Sequence, residues 1–224
     1  MGRGLPILFN TDMVRAIQVG RKKVTRRVVK KENLDAVLNS PERKGNPDIP
    51  DKNFINLLIN APYGKGDILY VRETWKIHAV NPSFCMMIRY RADNFCNLQV
   101  KFSPSRFDEF QKFYEKNGWQ SPYFMPKEAA RIWLKVTDVR VERLQDMRPT
   151  DCLGEGIRFC GCPAGFTWKS DTDMKNCYID AIGAMKALWN STVKKADMDQ
   201  YGWDANPWVW VIEFERSEKP EGED

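Results

Sequence analysis

Residues 207–215, Pro-Trp-Val-Trp-Val-Ile-Glu-Phe-Glu, carry large apolar side chains at alternate positions, a period of two that a strand buries and a helix does not. Residues 131–144 repeat the pattern. Ile132, Leu134 and Val136 share one inner face, and Val139 and Val141 continue it after a bend near Thr137 and Asp138. Residues 67–75 follow a glycine turn with the apolar density of a buried strand, and residues 24–29 are rich in β-branched side chains. The four stretches predict one curved sheet on which Leu69, Val71, Leu134, Val136, Ile212 and Phe214 meet. Short helices fall between the strands and a strand closes the chain, which predicts a small mixed α/β barrel (α+β) rather than parallel βαβ units.

A helix comes first. The run Pro6-Ile7-Leu8-Phe9 ends at Asn10-Thr11-Asp12, where Thr11 suits an N-cap and Asp12 the positive first turn; Met13, Val14 and Ile17 then recur at helical spacing until Gly20. Further helices are expected at 34–38, 107–116, 149–155 and 178–189, the last with Ile179, Ile182, Met185 and Leu188 inward, and a strand at 85–91. Residues 30–66, with a turn at 54–59, and residues 158–176 read as loops. At 224 residues the chain can bury a sizeable core and reads as one elaborated domain over 1–216, with insertions near 31–62, 76–126 and 158–178 and a polar, disordered tail at 217–224. No apolar run approaches the roughly 20 residues of a membrane span, and the opening Met-Gly-Arg-Gly-Leu-Pro lacks the apolar core of a signal peptide. A cytoplasmic protein without a membrane partner is expected. Six cysteines without a secretion signal read as reduced thiols. Cys152, Cys160, Cys162 and Cys177 are the zinc alternative, but their spacing is not the paired two-residue gap of zinc ribbons, so neither metal nor cofactor is expected.

The net charge of +5 is unevenly spread, since residues 1–31 hold nine Lys or Arg against the single Asp12. Most of this charge sits in Gly20-Arg21-Lys22-Lys23-Val24-Thr25-Arg26-Arg27, where five cations, a hydroxyl and a glycine share eight positions. Such a cluster attracts a polyanion or an anionic substrate. Neighbouring cations also disfavour protonation of a lysine, which makes Lys22 a candidate base and Thr25, three residues on, the hydroxyl it would activate. A solvated basic face is the plain alternative. At the end of the 67–75 stretch, Arg72, Glu73 and Trp75 place a cation, a carboxylate and a π-face on which a base could stack. His78 is the only histidine, so no chemistry here rests on a pair of them.

Gly20-Arg21-Lys22, with Thr25 and Arg27 following, resembles the signature loop of the ASCH domain, a branch of the PUA-like β-barrel superfamily. Gly66-Asp67-Ile68-Leu69 followed by Glu73-Thr74-Trp75, the 131–144 strand leading to the Glu155 helix, and the closing strand 208–214 are similar to that family as well. Met125-Pro126-Lys127 and residues 201–207 resemble the longer form encoded by bacteriophages and prophages. The resemblance implies a PUA-like mixed β-barrel with peripheral helices and long insertions. Small family members hydrolyse N4-acetylcytidine with a Lys, a Thr and a Glu, which fall here on Lys22 as base, Thr25 as nucleophile and Glu155 as the group that orients the lysine or shuttles a proton. Other members are ribonucleases or RNA-binding modules. The readings left open are therefore an RNA, DNA or modified-nucleoside binder, with Arg21, Lys23, Arg26, Arg27, Arg72, Glu73 and Trp75 as contacts; an amidohydrolase of N4-acylated cytidine; a ribonuclease; and a phage accessory module that docks on another protein through an apolar patch among residues 107–124.

Overall fold

The computed structural model describes residues 4–162, 165–170 and 176–220. Ten strands and eight α-helices lie among them: β1 (Gly4–Leu8), α1 (Thr11–Gln18), β2 (Val24–Val28), α2 (Lys31–Leu38), α3 (Pro41–Lys44), α4 (Asp51–Leu58), β3 (Ile68–Arg72), β4 (Trp75–Asn81), β5 (Cys85–Tyr90), β6 (Asp93–Lys101) and α5 (Pro104–Glu115). The chain continues through β7 (Trp133–Arg143), α6 (Pro149–Gly154), β8 (Arg158–Cys162), β9 (Gly165–Lys169), α7 (Ala181–Thr192), α8 (Met198–Tyr201) and β10 (Trp208–Ser217). The fold is mixed α/β. Five strands are hydrogen-bonded in the order β1-β3-β7-β10-β2, which includes a strand from each of the four stretches that predicted a common sheet, and no closed barrel occurs among the described residues. Only β1 and β3 run parallel among the strand pairs described.

The chain divides into two compact units. The first comprises residues 1–19, 66–135 and 215–224. In it β1 lies parallel to β3, with Ile7 opposite Val71, and the start of β7 pairs antiparallel with β3, Leu69 opposite Leu134. A separate antiparallel sheet, β4-β5-β6, follows. Its core gathers Trp75, Ile77, Met86, Ile88 and Tyr90 around Phe110 and Phe113 of α5. The expected 67–75 strand is thus two strands: β3 stops at Arg72, and Trp75 opens β4 in the other sheet. Helix α1 forms as its periodicity predicts, with Val14 and Ile17 buried, but its cap is Asn10, whose Oδ1 accepts from the Met13 N–H at 2.9 Å. Asn and Thr are both good caps, and sequence alone left the choice to one residue's uncertainty.

The second unit comprises residues 20–65 and 136–214. Here β2 pairs antiparallel with β10, Thr25 opposite Ile212. The stretch expected as a loop with one helix holds three, α2 to α4, in which Val37, Phe54 and Ile55 supply buried contacts. Residues 158–162 and 165–169, expected as loop, form the antiparallel hairpin β8–β9. The helix expected from 178 begins at Ala181, because Asp180 accepts from the Gly183 N–H and caps it there. Ile179, expected inward, therefore precedes the helix and is 94% exposed. In the expected tail, Ser217 still belongs to β10, and residues 221–224 lie outside the described residues.

Candidate functional site

The site is built where β2 begins beside the end of α6. Pro149 suits the first turn of α6, and the Asp151 carboxylate accepts from the Arg148 main-chain N–H at 3.0 Å to cap it. At the other end Gly156 adopts φ +99°. Its N–H reaches the Leu153 carbonyl at 3.0 Å and the Ile157 N–H reaches the Cys152 carbonyl at 3.1 Å, the paired bonds of a Schellman stop. Glu155 is thereby fixed as the C-cap residue. Gly154 allows the close approach that follows: a Cβ there would sit 3.1 Å from Cγ2 of Val24. The Gly154 carbonyl accepts from the Lys23 N–H at 2.8 Å, and the Phe214 N–H donates to the Lys23 carbonyl at 2.9 Å, so the main chain leading into β2 is held from both sides.

With Lys23 clamped through its main chain and its side chain exposed, Lys22 points inward. Its ammonium donates to Glu155 Oε2 at 2.5 Å, to the Glu155 carbonyl at 3.2 Å and to the Val24 carbonyl at 2.8 Å. The other carboxylate oxygen, Oε1, accepts from Arg26 Nη1 at 2.9 Å, and Arg26 turns its remaining edge to Glu142 Oε1 through Nη2 at 2.8 Å and Nε at 3.2 Å. The Lys22 and Glu155 side chains are 0% and 4% exposed. One buried carboxylate is shared between two buried cations, and this decides the direction of both titrations. Burial lowers the Lys22 pKa and Glu155 raises it, and with Arg27 and Arg26 also pushing it down the net shift is downward. Burial alone would raise Glu155, but Lys22 and Arg26 together outweigh it and hold the carboxyl below its usual range.

A pH dependence follows from the lowered Glu155 value. Above pH ~4.5 the carboxylate is ionised in both folded and unfolded chains and its contribution to stability is fully present; as the pH falls through the depressed folded value, the contribution is lost. The difference in unfolding free energy between wild type and Glu155→Gln, measured by urea titration, is expected to be constant from pH 5 to 7 and to shrink below pH 4.5.

The other expected residues fall in two groups. Thr25 is buried in β2, and strand alternation puts it with Arg27 on the face opposite Val24 and Arg26. Arg27 is half-buried and lowered in pKa by that burial, with Tyr63 and Glu155 opposing the shift; Arg21 is half-buried. Arg26, expected to contact ligand, instead braces Glu155. Its partner Glu142 was missed, because it stands among Lys135, Asp138, Arg140 and Arg143 on a strand of mixed polarity and carries no local signal of its partner. Arg72, Glu73 and Trp75 belong to the first unit and are described there by themselves. Arg72 donates to the Tyr123 carbonyl at 3.1 Å. Glu73 is 1% exposed and takes both arms of Arg131, at 2.9 and 3.0 Å, so its charge is already answered. Trp75 is 0% exposed, its ring lying against Phe110 and Phe113, and it offers no face for stacking a base. Core packing won over the surface role because Trp75 starts a strand under α5. Among the thiols, Cys152 is buried beside the Met147 sulfur and its pKa is pushed up to about 12 by that burial, which removes it as a ready thiolate ligand. The Cys162 side chain lies outside the described residues.

Among the described residues no helix is long and apolar enough to cross a membrane. No family model, curated protein or solved structure matches this chain.

Proposed function

We propose that this chain is an ASCH-type protein of the PUA-like group that binds a modified nucleoside at the loop preceding β2 and hydrolyses its N4-acyl group. The observation that carries the reading is the seating of Lys22: a buried amine, lowered in proton affinity, aligned by a carboxylate that Arg26 holds in place. A lysine whose proton affinity is lowered in this way is better suited to give up and accept a proton than an exposed lysine is. In this reading Lys22 accepts the Thr25 proton as the hydroxyl attacks the amide carbonyl, the proton passes to the departing N4 amine, and water then releases the acyl group from Thr25. Glu155 positions Lys22 throughout.

Binding of RNA or DNA is the second reading, favoured by the exposed Lys23 and Lys30 near the same loop. Two of the five cations that suggested it, Lys22 and Arg26, are buried against carboxylates and are not available to displace counterions from phosphates. The small ligand is therefore ranked first. Incubating the purified protein with N4-acetylcytidine and following release of cytidine and acetate tests the reading. Release is expected; its absence, together with salt-dependent binding of single-stranded RNA, would favour the polymer.

A further inference from the structure

Sheet β4-β5-β6 of the first unit has two unlike faces. Trp75, Ile77, Ile88 and Tyr90 are buried in the core that contains Phe110 and Phe113 of α5, so by strand alternation Lys76 and Arg89 point the other way. Register sets Lys76 directly opposite Arg89. The Arg91 N–H donates to the Thr74 carbonyl at 2.9 Å, which carries the pairing one step past β5 and keeps Arg91, two residues on from Arg89, on the same face. The other edge of β4 holds one bridge: the Gln120 N–H donates to the Trp75 carbonyl at 2.7 Å and the Trp75 N–H to the Gln120 carbonyl at 3.4 Å. In this antiparallel pairing Trp119 falls opposite Lys76, and the Lys76 ammonium lies 5.1 Å from the centre of its ring. An aromatic ring, a lysine and an arginine thus stand in one row across three chain segments, with a second arginine about 7 Å along the sheet.

We propose that this face binds a single-stranded nucleic acid, which stacks a base on Trp119 and sets its phosphates on Lys76 and Arg91. Charge gives the sign of the ligand. Between Thr74 and Ala92 the chain carries Lys76, Arg89 and Arg91 and no Asp or Glu. Asp12, Glu73 and Asp93 are taken by Arg15 and Arg131, and Lys76 and Arg91 enter no ion pair among the described residues. The ring gives the ligand's class, because Trp119 is 40% exposed. A base stacks on an exposed indole while a neighbouring cation takes the adjoining phosphate, and only an unpaired strand leaves its bases free to do so. An acidic protein would need an apolar centre to its interface. Apart from half-buried Ala79 and Met87, the surroundings are polar, with His78 and Asn81 exposed, and that is the composition of a nucleic-acid surface. No residue of the loop preceding β2 takes part, so the inference is independent of the hydrolase reading.

The test is fluorescence anisotropy of a labelled single-stranded RNA dodecanucleotide of mixed sequence, titrated with the full chain at several salt concentrations. Trp119→Ala is expected to weaken binding about 5–100-fold, the worth of one stacked base, and Trp119→Tyr, which keeps a π-face, to recover most of the loss. Lys76→Gln and Arg91→Gln are each expected to weaken binding and to reduce the slope of log affinity against log salt by about 0.7, while Lys112→Gln, on the exposed side of α5, changes neither. Should Trp119→Ala unfold, Trp119→Tyr and the two glutamine variants still decide, since the exposed Arg91 side chain carries no part of the core. No binding of the RNA, equal affinity in wild type and the Lys76 and Arg91 variants, failure of Trp119→Tyr to bind more tightly than a folded Trp119→Ala, a duplex of the same length binding as tightly, or displacement of the RNA by an equal concentration of polyglutamate would each overturn the proposal.

Discussion

Glu155→Ala is expected to destabilise the protein by about 3–5 kcal/mol at pH 7, because it strands a buried ammonium rather than merely deleting a contact. Arg26 keeps Glu142 and can turn further toward it, so the cost falls on Lys22, whose side chain has no exposure through which water could replace the lost oxygen. A neutral Lys22 is the escape available to the chain, and its lowered proton affinity makes that escape cheaper than it is for most buried lysines. Adding Lys22→Met to Glu155→Ala is therefore expected to restore part of the lost stability, since the orphaned amine is removed and the methionine stem fills the same channel. Urea denaturation of the two single variants and the double variant measures the coupling. A loss below about 1 kcal/mol for Glu155→Ala would mean that water reaches the cluster freely.

The second large effect is on catalysis. Lys22→Ala is expected to lower kcat for N4-acetylcytidine by about 10²–10⁴-fold, the usual worth of a positioned general base, and Thr25→Ala to remove turnover through the acyl-enzyme route. Glu155→Gln keeps an oxygen for Lys22 while discarding the charge, so it is expected to reduce kcat less than Lys22→Ala does. Its pH profile gives a sharper readout. The active base is the neutral amine, so kcat rises with pH through the Lys22 pKa; loss of the carboxylate, which raises that pKa, moves the rise to lower pH in Glu155→Gln. Equal kcat in wild type and Lys22→Ala would assign any hydrolysis to another site.

Much of this arrangement was legible before any coordinates. Period-two patterning found β7 and β10, β-branched residues found β2 and apolar density after a glycine turn found β3, because strands leave local imprints on sequence. The glycine after Glu155 and the proline at 149 bounded α6, and the basic stretch marked the turn into β2. Pairings between distant residues were not legible. Nothing local says that Arg26 reaches Glu142, 116 positions away, or that Glu73 is claimed by Arg131, 58 positions away. Trp75 was misplaced for the same reason: a strand end next to Arg and Glu looks like a surface until α5 is laid over it. The β8–β9 hairpin was missed because its glycines and cysteines carry the composition of a loop, while the register comes from main-chain pairing.

The central claim is that Lys22 is a working base and not a permanently charged strut, and the NMR titration of its side-chain Cε resonance tests this most directly. Assignment by Lys22→Arg identifies the signal, and titration is followed with and without cytidine. The account predicts a midpoint below the ordinary lysine value of 10.5 and a shift of the resonance when cytidine is added. A midpoint at or above 10.5, together with a resonance that no nucleoside moves, would contradict it.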